Sequence, residues 1–274
     1  MKPLNNHLIL FDAECPMCSL YTSAFVAAGI IQPEGRAAYQ QLTEAACPMV
    51  DRQRAVNEIA LVNQTTGQVS YGISSLFKIF GTMMPVFKPL FSFTPFIWIM
   101  SKAYAFISYN RRVIIPVSNT SYGFKLQPAF KLHYRLLYLL FTWLITAYIL
   151  TAYVHLMKGV LPQGSAYREY LICGGQLFFQ GVIVSGIAKD KTWSYLGNMM
   201  TISFAGALLL LIGLLAANRF TIAPPFYAAY FMLVAGCMLL EHIRRTKLLG
   251  LGWALSASWA IYRLLVLLVI FLVN

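Results

Sequence analysis

Charge is what this chain has least of. Only 11% of its 274 residues are Asp, Glu, Lys or Arg, and nine are acids. A soluble domain carries roughly 25% charged residues, so this chain cannot cover itself with water-facing groups. A wholly soluble globule, a disordered chain and a coiled coil are excluded. A secretory signal is also lacking. It would need roughly 7–15 apolar residues and a small-residue cleavage site, whereas the N-terminus offers only the short run Leu8-Ile9-Leu10-Phe11. The N-terminal segment is therefore expected to begin in the cytoplasm. What the chain does have is apolar surface: 59% hydrophobic residues, 15% aromatics and a mean hydropathy of +0.65. This is the composition of a membrane protein.

The charges are unevenly placed. Six of the nine acids precede residue 60, and residues 1–115 hold nine Lys/Arg against those six. Residues 116–274 hold twelve Lys/Arg against three acids, Glu169, Asp190 and Glu241. Excess cation in a long apolar half fits loops held at an anionic cytoplasmic leaflet. Nucleic acid is not expected as a partner, because no dense basic face accompanies a reading motif.

Residues 1–115 read as a small α/β domain. Leu8–Phe11 is an apolar run ended by Asp12, as in a buried strand. Pro16 opens a helical pattern with Leu20, Phe25 and Val26 inward, stopping at Gly29; proline suits a first helical turn because its missing N–H would be unbonded anyway. Glu58–Val62 and Gln68–Tyr71 flank a turn at Thr65-Thr66-Gly67 and read as a hairpin. Ser74-Ser75 is expected to cap a helix reaching Phe80. Between 82 and 116, Pro85, Pro89 and Pro95 break the chain, and Lys88 and Lys102 enclose only thirteen uncharged residues. About twenty are needed to span a bilayer, so this stretch reads as short amphipathic helices covering the domain or lying on the membrane. Residues 116–133 read as a linker.

The remainder, 134–274, reads as an all-α bundle of five transmembrane helices near 136–157, 170–188, 193–217, 222–241 and 250–273. Charges punctuate apolar runs of 22, 19, 27 and 21 residues, and Leu248 to Asn274 carries only Arg263. No internal repeat of fixed period is visible. With the N-terminal domain inside, the inside segments hold eight Lys/Arg (Lys125, Lys131, Arg135, Lys189, Lys191, Arg244, Arg245, Lys247) and the outside ones three (Lys158, Arg168, Arg219). The positive-inside rule then puts the C-terminus outside a plasma membrane, the inner membrane in a bacterium.

Cys15-Pro16-Met17-Cys18 carries the chemistry. At a strand-to-helix junction, Cys15 meets the unbonded N–H groups and positive dipole of a helix N-terminus, which favour its thiolate. A thiolate there attacks a disulfide, and Cys18, one turn on, resolves the mixed disulfide. Asp12 and Glu14 stand close enough to relay a proton or tune Cys18, while their charge opposes thiolate formation. The other readings are half a zinc site and an inert structural pair. Zinc would need two more ligands, and the N-terminal half offers only His7 and Cys47 without a paired spacing. No metal and no cofactor beyond the Cys15/Cys18 dithiol is expected.

Leu8-Ile9-Leu10-Phe11-Asp12-Ala13-Glu14-Cys15-Pro16-Met17-Cys18 resembles the opening of the DCC family of thiol-disulfide oxidoreductases, named for Asp-x-x-Cys-x-x-Cys after a first strand. The likeness continues in Glu58–Val62, in Tyr71–Gly81, and in Tyr104 to Arg111, which resembles the family's closing helix with its Asn-Arg pair. It covers about residues 7–115. The resemblance implies a thioredoxin-like domain, disulfide exchange, and Asp12, Cys15 and Cys18 as site residues. Two departures stand out. Ala13 occupies a common glycine position, and Arg54-Ala55-Val56-Asn57 replaces the cis-proline element that in thioredoxins faces the CxxC.

Other polar and thiol residues are read more plainly. Cys47 is expected to be a bystander, and Cys173 and Cys237 to sit at opposite ends of their helices, too far apart for a disulfide. His155 and the pair Glu241-His242 read as solvated interfacial groups. Arg263 falls midway along the fifth helix, where a charge needs a partner; Glu169, Asp190, Glu241, carbonyls, Gln176, Gln180 or an anionic lipid are the candidates. The expectation is a membrane-anchored disulfide oxidoreductase, whose partners are the bilayer, a disulfide-containing protein or small molecule, and subunits of a membrane complex. The alternative is an assembly or anchoring subunit with a non-catalytic CxxC.

Overall fold

A computed structural model of the chain describes residues 4–41, 49–116 and 128–273. It divides into two compact units, Met1–Tyr134 and Arg135–Asn274. The chain is mostly helical, with one small mixed sheet in the first unit and five long apolar helices further on.

The first unit is organised around strand β1 (His7–Phe11). It pairs in parallel with β2 (Arg36–Ala38), antiparallel with β3 (Ala60–Asn63), and β3 pairs antiparallel with β4 (Val69–Tyr71), in the order β2-β1-β3-β4. β1 is an unbroken apolar run because both of its faces are covered. Ile9 points into a cluster with Phe25, Leu61 and Ile79, whereas Leu8 and Leu10 point into one with Ala55, Val56, Ala60 and Val62. Helices α1 (Pro16–Ala27) and α3 (Ile73–Met83) thus supply one layer and α2 (Arg52–Asn57) the other.

Several expectations change at residue level. Leu20 is 72% exposed, whereas Cys18, Thr22 and Phe25 are buried. Residues four and three apart share a helix face, and Leu20 lies off the face that Cys18 and Phe25 define. Ser74-Ser75 does not cap α3. The N-cap is Gly72, at φ +58 and ψ −131, a conformation open to glycine, and the Ser75 hydroxyl turns back to the Ser70 carbonyl at 2.7 Å. β2 has no signature in the sequence, since Arg-Ala-Ala has no strand preference of its own, whereas α2 is capped by Asp51, whose carboxylate accepts the Arg54 N–H at 3.0 Å.

The proline-rich stretch holds one long helix instead of only short ones. A 3₁₀ turn at Pro85–Phe87 and α4 (Lys88–Ser92) meet α5 (Thr94–Ile114) at a bend of 88°. Pro95 starts α5 because it falls in the first turn, where its missing N–H is harmless. The buried residues of α5 (Ser108, Asn110, Arg111, Val113) all lie in its last two turns, while Phe93, Trp98 and Ile99 are exposed. Of the expected linker, 117–127 lie outside the described residues. Beyond them the Ala129 N–H donates to Asn57 Oδ1 at 2.8 Å, and Tyr134 stacks on Tyr109 at 4.9 Å.

Among the described residues, five helices are long and apolar enough to cross a membrane: Leu132–Met157, Arg168–Ile187, Lys189–Ala217, Pro224–Leu248 and Ala254–Leu272. Counting the bent pair Pro85–Ser92 and Thr94–Ile114 as one span would make six. Their α-helical parts are α6 (Leu132–Val154), α7 (Arg168–Ile187), α8 (Thr192–Ala217), α9 (Pro224–Leu248) and α10 (Ala254–Val273). α9 runs seven residues past Glu241, because Glu241 pairs with Arg244 and Arg245 at i,i+3 and i,i+4 and the charges stay on the helix. α8 is buried on every side from Tyr195 to Ser203, making it the central helix of its unit.

The packing generates a contrast. Ile9→Ala should destabilise the full chain in detergent micelles by about 2–5 kcal/mol. Leu20→Ala should stay within about 0.5 kcal/mol. Thermal unfolding followed by limited proteolysis within residues 1–134 measures both.

Candidate active site

The site is built at the end of β1, where the chain turns over Asp12-Ala13-Glu14 into α1. Asp12 makes that turn. Its backbone carbonyl accepts the Cys15 N–H at 3.1 Å, and its Oδ1 accepts the Glu14 N–H at 3.0 Å. Cys15 is the N-cap of α1, and its Sγ accepts the Cys18 N–H at 3.3 Å, with Pro16 in the first turn. The sulfur thus takes the place of the usual capping oxygen. Cys15 is 2% and Cys18 5% exposed, packed with Phe11 and Ala38.

The carboxylate of Asp12 is fully engaged. Oδ1 also accepts from Gln40 Nε2 at 2.7 Å, and Oδ2 accepts from Arg111 Nη2 at 2.6 Å. Gln40 in turn accepts the Ala13 N–H at 3.0 Å. Arg111, on α5, also donates to the carbonyls of Val56 and Asn57 at 2.8 and 3.1 Å. Arg112 beside it donates to Glu14 Oε2 at 3.0 Å and stands 3.8 Å from Asp12. Removing one member of so buried a pair costs about 3–5 kcal/mol, because the other is left charged and unpaired.

The Cys15 thiol is lowered from 9.0 to about 7. The largest cause is the hydrogen bond from the Cys18 thiol; the Arg111 charge and the Cys18 N–H add to it, while burial and Asp12 work against it. Cys18 moves the other way, well above the ordinary thiol range, because it donates to Cys15 and is buried. Burial opposes the Arg111 charge, but Cys18, Asp12 and Cys15 outweigh it and raise that pKa. The helix terminus expected to acidify Cys15 is thus one contributor among several.

Asp12, Cys15 and Cys18 come together, with Glu14 at their edge. His7 lies at the other end of β1, its ring nitrogen against the Asn5 carbonyl at 2.8 Å. Cys47 lies outside the described residues. Among the described residues, no three His, Cys, Asp or Glu side chains gather as a metal cluster. Gln40, Arg111 and Arg112 had not been assigned to the site. The one clue in the sequence was electrostatic: two acids beside a thiolate call for cations, and Arg111-Arg112 is the single Arg-Arg pair of the first unit.

In the membrane unit Cys173 is half-buried on α7 and Cys237 exposed on α9, both as free thiols. His155 bonds Gln163 at 3.1 Å in an exposed setting. His242 is different from its expected solvated state. It is 1% exposed, with Nε2 3.1 Å from the Tyr195 hydroxyl, Nδ1 2.9 Å from Ser256 Oγ, and its ring stacked on Trp259. Tyr195 donates on to Gln180 at 2.7 Å. Among the described residues, four of the expected partners, Glu169, Glu241, Gln176 and Gln180, are engaged away from Arg263. Glu169 is taken by Arg168, Glu241 by Arg244 and Arg245, and Gln176 and Gln180 bond the α10 backbone and Ser258. Among the described residues Arg263 forms no ion pair; its guanidinium lies over the Trp259 ring, 4.4 Å away, with Cys173 and Tyr262 near it. Such a contact contributes about 0.5–2 kcal/mol; a mid-helix arginine costs about 2.5–3.5 kcal/mol or more to insert.

No family model, curated protein or solved structure matches this chain.

The electrostatics give two opposed expectations. Reaction of Cys15 with a small disulfide reagent should have its pH midpoint near 7, because a lowered pKa leaves the thiolate present above that pH and lost below it. Arg111→Met should move the midpoint up towards 9, and Asp12→Asn should move it down. A midpoint near 9 in the unaltered chain contradicts the site geometry, and a pair with a merely structural role would move it in neither variant.

Proposed function

We propose that the chain is a membrane-anchored thiol-disulfide oxidoreductase of the DCC type, with a thioredoxin-like first unit. The observation that carries this reading is the Cys15 sulfur capping α1 within the field of the buried Asp12–Arg111 pair. A purely structural cysteine pair needs no acidified member, and such perturbed groups concentrate at functional sites. The DCC likeness of residues 7–115 points the same way.

The chemistry follows from the two different thiols. The Cys15 thiolate attacks one sulfur of a substrate disulfide, forming a mixed disulfide while the substrate S–S bond breaks and the departing sulfur takes a proton. The Cys18 thiol loses its proton and attacks Cys15, forming the Cys15–Cys18 disulfide and releasing the second substrate sulfur. The substrate gains two electrons and two protons. A dithiol donor then reduces the pair by the same steps in reverse. A high Cys18 pKa holds its proton until Cys15 has lost its negative charge in the mixed disulfide, so the order of the two attacks is built in. Asp12 is a positioning residue in this scheme. Its oxygens hold Arg111, Gln40 and the turn rather than a moving proton.

In a reducing cytoplasm the pair rests as the dithiol, and reduction of a disulfide-containing protein or small molecule is the favoured direction. This requires the first unit to be inside and, with five spans, the C-terminus outside.

Purified full-length chain in detergent should reduce a small disulfide, and Cys15→Ser should lower that rate by at least about 100-fold. Cys18→Ser should instead accumulate the mixed disulfide on Cys15, visible by mass spectrometry. Equal rates for Cys15→Ser and the unaltered chain would remove the assignment. An impermeant thiol reagent applied outside intact cells should leave Cys15 unlabelled; labelling there would invert the topology and the reducing role together.

A further inference from the structure

The membrane unit contains a cavity of about 20 Å³ bounded by α6, α8, α9 and α10. Thr146, Ser203, Met238 and Arg263 line it, with the Phe231 ring and apolar residues of α6, α8 and α9 completing the walls. A water-sized sphere needs about 10–15 Å³ in this measure, so the space suits one small species and excludes a quinone ring or a lipid headgroup. Its polar groups are all able to donate. Thr146 is 3% exposed and its hydroxyl has no hydrogen-bond partner, and Arg263 Nε is likewise buried without one. No carboxylate lines the cavity. Two of the acids proposed for Arg263, Glu169 and Glu241, are held by Arg168, Arg244 and Arg245.

We propose that this cavity binds one monovalent anion of halide size between Arg263 and Thr146. Both side chains offer hydrogens, and the guanidinium carries a full charge in a low-dielectric bundle. A neutral water would satisfy donors and leave that charge uncompensated; a halide does both. The site involves neither Cys15 nor Cys18, so it stands whether or not the first unit is an oxidoreductase.

The test uses the full-length chain in detergent micelles, with sodium chloride or bromide exchanged against sodium gluconate at constant ionic strength. Gluconate is too large for the cavity. Both halides should raise the unfolding midpoint logarithmically with concentration above Kd, by about 5 °C at roughly 100 times Kd. Thr146→Val, which keeps the shape and removes the hydroxyl, should weaken Kd about tenfold, and Arg263→Gln should abolish the halide effect. Where Arg263→Gln fails to fold, the Thr146→Val titration decides. Equal midpoints in halide and gluconate would mean that the cavity holds water alone, and the proposal fails. A halide effect with unaltered affinity in Thr146→Val would place the ion elsewhere, and the proposal fails as well.

Discussion

The ion pair between Asp12 and Arg111 joins two points 99 residues apart in the chain. Much of the first unit follows from it. A carboxylate at 2% exposure and a guanidinium at 6% persist as charges because each is the other's partner, with further hydrogen bonds from Gln40 to Asp12 and from Arg111 to the Val56 and Asn57 carbonyls. To place Arg111 there, α5 has to pack its last turns against the carbonyls of Val56 and Asn57. To place Asp12 there, the turn after β1 has to close onto Cys15. The pair therefore sets where α1 begins, and with it which sulfur caps the helix. It also sets the electrostatics of that sulfur, since its two members act on Cys15 with opposite signs.

The same rule of burial governs the second unit with different residues. One group of polar side chains within the apolar helices satisfies itself: Gln180, Tyr195, His242 and Ser256 form a hydrogen-bonded run through α7, α8, α9 and α10. Thr246 joins it at Ser256. Such a network restricts how the helices can slide or rotate, because each unmade bond would leave a polar atom in a medium with no water to replace it. Arg263 stands outside that arrangement. Its ring contact with Trp259 is too weak to offset the insertion of a charge.

Much of this architecture was legible in the amino-acid order because it is local. Apolar runs of spanning length, the alternation around Gly67, the strand at Leu8–Phe11 and the CxxC after it all express short-range periodicity. Misreadings arose where a residue's role depends on what it faces. Leu20 has the composition of a core residue and the helical phase of a surface one. Ser74-Ser75 has the composition of a cap, but the helix starts at Gly72, whose positive φ only glycine adopts freely. Pro95 looked like a breaker and is a starter, because its position in the turn decides. His242 looked solvated because its partners come from other helices.

What the chain's own order determined is the set of elements, the division into an α/β part and a greasy part, and a pair of cysteines at a helix start, each written in residues a few positions apart. Which cation answers Asp12, how far the Cys15 proton is loosened, and what surrounds His242 and Arg263 were decided only on folding. Those properties depend on desolvation and on charges brought within a few ångströms from distant parts of the sequence, and neither distance nor burial is a property of neighbouring letters.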